Sequence, residues 1–232
     1  MLPAEDAAGT MSPSDTRWAR GRVRTWFGRH GREFPWRQTS DPFHILIAEL
    51  LLQRTRADLV PDVFTRFVGR YPDAASLADA DESDVVELLR SLGFLHRSAR
   101  LPHLARELCA RFEGRVPRTE AELASLPGVG RYVANAVLVV AYGAPRPLLD
   151  PNVIRLLARC FGITSSRARP RDDDRLWRLV EDVVPSRDPK PVALGLIDLG
   201  AVVCRPKRPT CHVCPLRLRC HAFRTGLVVP GK

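Results

Sequence analysis

From Asp15 onward the apolar residues recur every three or four positions, the spacing of one face of an α-helix. Ile45, Leu46, Ala48, Leu51 and Leu52 open a strongly apolar helix that also carries Glu49, and Val60, Val63, Phe64 and Phe67 continue the rhythm. The same spacing predicts helices over Asp81–Leu92, with Gly93 as C-cap, and over His96–Phe112, broken by Gly114 and Pro117. Further helices are predicted over Glu120–Leu126, Arg131–Ala141, Val153–Phe161, Asp173–Val184 and Pro191–Val203. No segment alternates apolar and polar residues as a half-buried strand does, so the predicted class is all-α, with short loops punctuated by Gly and Pro. Residues 1–14 read as a disordered leader and residues 223–232 as a tail. Neither an internal repeat nor a low-complexity tract is visible.

The chain has 232 residues, 45% of them hydrophobic, enough for one large or two small cores. Its formal net charge of +10 suits a polyanionic partner, because neutralising phosphates releases condensed counterions. That balance alone does not choose between DNA, RNA and an acidic membrane surface. Of 36 basic residues only Lys190, Lys207 and Lys232 are lysines, so none lies between Met1 and Pro189. No apolar run approaches the roughly 20 residues needed to cross a bilayer, and no secretion signal is visible. A cytoplasmic, nucleoid-associated monomer is the expectation.

Three features carry candidate chemistry. In Leu126-Pro127-Gly128-Val129-Gly130 a tight turn joins two helices, and the second starts at Arg131 with backbone N–H groups and a positive dipole end. Such an end binds phosphate without reading the base, although an ordinary helix–turn–helix corner has the same residues. Asp150, followed by Pro151, reads as a helix N-cap. Capping N–H groups are expected to keep its carboxylate ionised, which also suits it to stabilise positive charge on a sugar or to orient water. Cys204-x6-Cys211-x2-Cys214-x5-Cys220 places four thiols within 17 residues. In a cytosolic chain such clustering favours a metal site over disulfides. A cubane iron–sulfur cluster is the expected occupant. A four-cysteine zinc site usually has two short knuckles, and only Cys211–Cys214 is one. Arg205, Lys207, Arg208, Arg217 and Arg219 surround the ligands and are expected to face phosphate, whereas Cys109 and Cys160, on apolar helical segments, read as core residues.

Together the hairpin, the following aspartate and the cysteine spacing resemble the endonuclease III/MutY branch of helix-hairpin-helix DNA glycosylases, over roughly residues 18–222. The resemblance implies a six-helix barrel domain over 44–143 and a discontinuous 4Fe-4S cluster domain over 15–43 and 144–222. It also implies that double-stranded DNA holding a mismatched or damaged base binds in a cleft between them, the target nucleotide flipped out because the glycosidic bond is unreachable within the stack. Position by position, Asp150 matches the catalytic aspartate and Glu49 the glutamate of MutY-type adenine glycosylases. Gln53 falls where such enzymes place a residue into the gap left by the flipped base, and Arg54 beside it is expected to bind DNA. Phe94, with Leu95 as alternative, is the second wedge, and Gly128, Val129, Gly130 and Arg131 form the DNA-binding hairpin. Tyr132 stands where endonuclease III has its lysine nucleophile, which removes the Schiff-base route to strand cleavage. Tyr132, Phe34-Pro35-Trp36-Arg37 and Glu49–Thr55 narrow the resemblance to the thymine-mismatch (MIG) subfamily. The implied activity is hydrolytic release of thymine or uracil opposite guanine in base excision repair, without strong AP lyase activity. Two alternatives remain: an adenine glycosylase acting on A·G or on A opposite 8-oxoguanine, and a non-enzymatic lesion binder. The chain ends 12 residues after Cys220, which leaves no room for the extra domain with which full adenine glycosylases read oxidised guanine.

Overall fold

A computed structural model of the chain describes residues 10–93 and 100–227, and every structural statement below concerns those residues. Their regular secondary structure is all helical, with no strand among them. No helix among them is long and apolar enough to cross a membrane. Contacts divide the chain into two compact units, Glu33–Gly143 and a discontinuous one formed by Met1–Arg32 with Ala144–Lys232.

The Glu33–Gly143 unit contains α2 (Pro42–Leu51), α3 (Pro61–Arg70), α4 (Ala74–Ala78), α5 (Glu82–Leu89), α6 (Arg100–Phe112), α7 (Glu120–Ala124) and α8 (Arg131–Tyr142). Helix α2 is its axis: Phe43 and every residue from Ile45 to Leu51 is buried, so it is enclosed on all sides instead of lying with one face outward. It packs on α8, itself buried from Val133 to Val139. Asp41 caps α2 by accepting from the Phe43 and His44 N–H groups, and Pro42 fixes the first helical φ.

In the second unit lie α1 (Pro13–His30), α9 (Pro151–Phe161), α10 (Asp174–Val183), α11 (Lys190–Asp198) and the short α12 (His221–Arg224). Helix α1 packs on α11 at Gly195, where an added Cβ would come within 2.7 Å of Val23 Cγ1. Asp198, fully buried, holds the chain segment after α1 by accepting from Arg32 Nε at 2.7 Å and from the Arg32 backbone N–H at 2.9 Å. A charge so placed is tolerated only because it is paired and hydrogen-bonded.

Four differences from the sequence reading have physical causes. Helix α1 begins at Pro13, inside the expected leader, because the Ser12 hydroxyl accepts from the Asp15 N–H and Pro13 sits in the first turn. Residues 1–9 and 228–232, the rest of the leader and part of the tail, lie outside the described residues. The boundary expected between 43 and 44 falls between Arg32 and Glu33, because Trp36 is buried edge-on to Phe64 at 5.6 Å and stacks on Phe34 at 4.6 Å. Helix α4, absent from the sequence reading, is held by a capping box between Asp73 and Ser76. The helix expected to run straight through Pro191–Val203 widens into a π turn over Leu199–Val203, just before Cys204.

Candidate functional site

The hairpin turn lies between α7 and α8 in the Glu33–Gly143 unit. Gly128 takes φ +79°, a conformation that side chains rarely adopt, and Gly130 precedes α8 in extended conformation. Among the described residues, most α-helix starts have a Ser, Thr or Asp cap, but no side chain caps α8 at Gly130. Gly128 and Gly130 are exposed, as is Arg131, whose Nε lies 4.0 Å from a Glu120 carboxylate oxygen. Val129 is buried and anchors the turn. This helix end offers backbone donors and a positive dipole to an anion that can approach the glycines closely.

Gln53, at the end of α2, donates through Nε2 to the Gly128 carbonyl oxygen at 2.9 Å. Expected as a gap-filling residue, in this structure it braces the hairpin turn, and entering a base stack would mean exchanging that bond. Arg54 is exposed with φ +57°, an uncommon conformation for a non-glycine residue. Glu49 is buried on α2, and Tyr132 is half-buried in the first turn of α8. Phe94 and its alternative Leu95 lie outside the described residues.

In the other unit, Asp150 caps α9. Its Oδ1 accepts from the Val153 N–H at 2.8 Å, and its Oδ2 accepts from Asn152 Nδ2 at 2.6 Å. Asn152 Oδ1 in turn accepts from Arg155 Nη2 at 2.8 Å. The same Arg155 donates to the Gly200 carbonyl at 2.7 Å and to the Cys204 carbonyl at 2.8 Å. A continuous path of hydrogen bonds therefore links Asp150 to the first cysteine of the motif. Gly200 is required where it stands, since a Cβ there would lie 2.7 Å from Asn152 Cβ and 2.8 Å from its carbonyl oxygen. Burial pushes the Asp150 carboxyl above the usual carboxylate range, against the opposing effects of the Val153 N–H, the Asn152 amide and Arg155. The capping N–H groups favour the ionised form as expected, but desolvation is the larger effect.

Cys204, Cys211, Cys214 and Cys220 line one cavity together with Cys160, Arg159, Leu156, Val203, Leu216 and Phe223. None of the thiols is in a disulfide. Among the described residues no three His, Cys, Asp or Glu side chains converge closely enough to hold a single metal ion. Burial pushes Cys214 up to about 12 and also raises Cys211, with neighbouring thiols adding to both, whereas the Cys160 hydrogen bond holds Cys220 down near 6. Arg159 Nη1 lies 3.7 Å from Cys204 Sγ and donates to the Arg205 carbonyl at 2.6 Å. Cys160 is a core residue, as its apolar helix suggested, but it is also part of this wall, which periodicity could not reveal. Of the five basic residues expected to face phosphate, Arg205, Lys207, Arg208 and Arg219 are exposed. Arg219 pairs with Asp15 at 2.9 Å, and Arg217 lies over the Phe223 ring.

Residues 47–182 match the model of the HhH-GPD superfamily of base excision DNA repair proteins. A thymine-DNA glycosylase from Aeropyrum pernix is 42% identical over 206 residues, covering 87% of this chain and 92% of that protein. A thymine/uracil-DNA glycosylase from Pyrobaculum aerophilum is also 42% identical, covering 85% of this chain and 87% of the relative. An adenine DNA glycosylase from Buchnera aphidicola is 30% identical, and this chain covers 58% of it. The solved structure of a thermostable thymine-DNA glycosylase superposes with a TM-score of 0.85 at 32% identity, covering 90% of this chain and 97% of that one.

Proposed function

The chain belongs to the HhH-GPD superfamily of base excision DNA repair proteins, and from that premise we propose that it is a monofunctional glycosylase releasing thymine or uracil opposite guanine from double-stranded DNA. The observation that carries this substrate reading is the 42% identity to a thymine-DNA glycosylase over nearly the whole length of both proteins, against 30% to an adenine glycosylase. A wobble pair also opens more easily than a matched one, which supplies part of the selectivity before any pocket contact.

Breaking the bond between sugar C1′ and the base nitrogen leaves the electron pair on the base and positive charge on the sugar. The ionised Asp150 carboxylate stabilises that charge and takes a proton from the water that adds to C1′. Its raised pKa makes it a stronger base than an ordinary carboxylate. Glu49 either orients that water or donates a proton to a carbonyl oxygen of the departing pyrimidine. Tyr132 presents a ring face and a phenol, which cannot condense with C1′ as an amine does. The product is therefore an intact abasic site. Gly128, Val129, Gly130 and Arg131 hold the DNA backbone, which fixes position without reading sequence.

A 4Fe-4S cluster is the occupant that the Cys204–Cys220 spacing supports, and Cys204, Cys211, Cys214 and Cys220, which line one cavity, would hold it. When bound, it crosslinks the 204–220 segment and holds that loop closed. Full adenine glycosylase activity and bare lesion binding are the competing readings. Single-turnover excision on otherwise identical duplexes with central T·G, U·G, A·G or A opposite 8-oxoguanine separates them. Thymine and uracil are expected to be released fastest. Faster release of adenine overturns the substrate reading, and no release from any duplex overturns the enzymatic one.

A further inference from the structure

The five arginines of α1 fall into two sets. The inner side of the helix is buried at Ala19, Val23 and Trp26. Beside it, Arg20 donates to the Val183 carbonyl at 2.9 Å and to the Asp182 carbonyl at 2.8 Å, and Arg24 pairs with Asp188 at 2.6 Å. These two fasten α1 to the end of α10 and the turn that follows. Arg17, Arg22 and Arg29 are exposed, and none of them has an ion pair among the described residues. Trp18, Arg22, Thr25 and Arg29 recur at the spacing of one helix face, and Arg17 flanks it. That face is concave: Arg17, Trp18, Arg22, Arg29 and His30 line a groove together with Pro215, the residue after Cys214. No acidic side chain lines it. Asp15, the one carboxylate of α1, is engaged elsewhere, accepting from Arg219 at 2.9 Å and from the Ser12 hydroxyl at 2.7 Å. Arg219 in turn lies over the Trp18 ring, 5.0 Å from its centre.

We propose that this groove is a phosphate site additional to the hairpin, in which Arg17, Arg22 and Arg29 hold the backbone of duplex DNA without reading its sequence. From Arg17 to Arg29 the helix rises about 18 Å, a length over which one strand of a duplex presents about five phosphates. A row of positive charge with no acid beside it complements that row of negative charge, and each phosphate neutralised releases condensed counterions. An acidic protein fits less well. Protein interfaces are built around an apolar centre, and the large apolar side chains that stand exposed here, such as Leu59, Val213, Leu218 and Leu227, are not on α1. Contacts to phosphate hold at any sequence, so they keep an enzyme on DNA between lesions. The site requires only that the chain binds DNA, whichever base it releases and whatever the motif cysteines hold.

The test measures the affinity of the full chain as purified for an undamaged, fully matched duplex over a range of salt concentrations. Each phosphate contact contributes about 0.9 to the slope of log affinity against log salt. Arg17→Gln, Arg22→Gln and Arg29→Gln combined should lower that slope by about 2.7, so the wild-type advantage shrinks about 40-fold between about 50 and 200 mM salt. Arg17→Lys, Arg22→Lys and Arg29→Lys combined keep the charge and should keep most of the slope. The control is Arg70→Gln, Arg90→Gln and Arg106→Gln combined, which removes the same charge from arginines already paired with Asp84, Glu87 and Glu82. Its slope should stay near that of the wild type. Single-turnover excision at saturating enzyme should be unchanged in every variant, because the groove arginines act on the DNA backbone and not on the reacting nucleotide. Wild-type affinity and slope in the glutamine variant overturn the proposal and leave the groove to solvent or to an acidic protein. A loss that the control matches overturns it too, as an effect of bulk charge. If the combined glutamine variant melts well below the wild type, the three single variants decide, each expected to lower the slope by about 0.9. An absence of excision in the wild-type protein would count against the enzymatic reading alone and leave the affinity measurement intact.

Discussion

Replacing Asp150 by Asn separates its two jobs. The amide oxygen can still accept from the Val153 N–H, so the cap on α9 survives. The second oxygen becomes an NH2 facing Asn152 Nδ2, which now donates at 2.6 Å. Asn152 cannot turn over without losing the bond that its own oxygen accepts from Arg155, so one hydrogen bond to a charged acceptor is lost, worth about 1.5–3 kcal/mol. Against this stands the relief of a partly buried charge. Because burial raises the folded-state pKa of Asp150, its contribution to stability is fullest in acid and is lost as pH rises through that value. At neutral pH the ionised group is a net cost that the amide removes. The two effects oppose, and the expected change in stability is within about 1 kcal/mol, or roughly 2–4 °C in Tm for a chain of this size.

The rate has no such compensation. A neutral amide neither balances positive charge on the sugar nor accepts the proton of water. Losing electrostatic stabilisation of this kind costs about 3–4 kcal/mol, on the order of a hundred- to a thousandfold. Single-turnover excision from a T·G duplex, DNA affinity and a thermal melt, measured on the same preparation, give the three readouts. Near-wild-type turnover would show that Asp150 is only a cap. A slow variant that also melts more than about 10 °C lower would show that the residue works by holding α9 in place.

Asp150 predicts a pH profile as well: the excision rate falls on acidification at a pH above the ordinary carboxylate range, and Arg155→Ala, which removes a favourable charge and a donor to Asn152, moves that limb higher still. Gly200→Ala forces a methyl group into the backbone of Asn152, which should cost about 1–3 kcal/mol in a denaturant titration and slow excision by displacing Asn152 from Asp150. Tyr132→Lys should yield a covalent protein–DNA band dependent on borohydride where the wild type gives none, and a strong wild-type band would refute the monofunctional reading. Cys211→Ser should lower iron content and leave the Ala144–Lys232 segment more open to proteolysis, whereas one zinc and no iron in the wild-type protein would refute the cluster.

How much of this was legible in the sequence depends on the range of the forces involved. The helix-hairpin-helix turn, the cap at Asp150 and the cysteine spacing are local patterns, set within a few residues by backbone conformation or ligand count, and they can be read without a fold. The capping box at Asp73 and Ser76 was equally local and simply passed unread. What could not be read is what burial and long-range packing decide. Desolvation reverses the direction expected for Asp150 although its cap is the predicted one. Gln53 is engaged by a carbonyl 75 positions away in the chain. Trp36 carries the 34–37 segment into the Glu33–Gly143 unit by packing on Phe64. Cys160 joins the motif cysteines only because α9 ends where Cys220 begins α12, and no spacing rule relates the two. Arg155 also acts only through the fold. Taken alone it is one arginine among many, partly exposed on an amphipathic helix. In the fold it is the donor that joins the backbone of the first cysteine to the partner of the aspartate, so a change at either end has a physical route to the other.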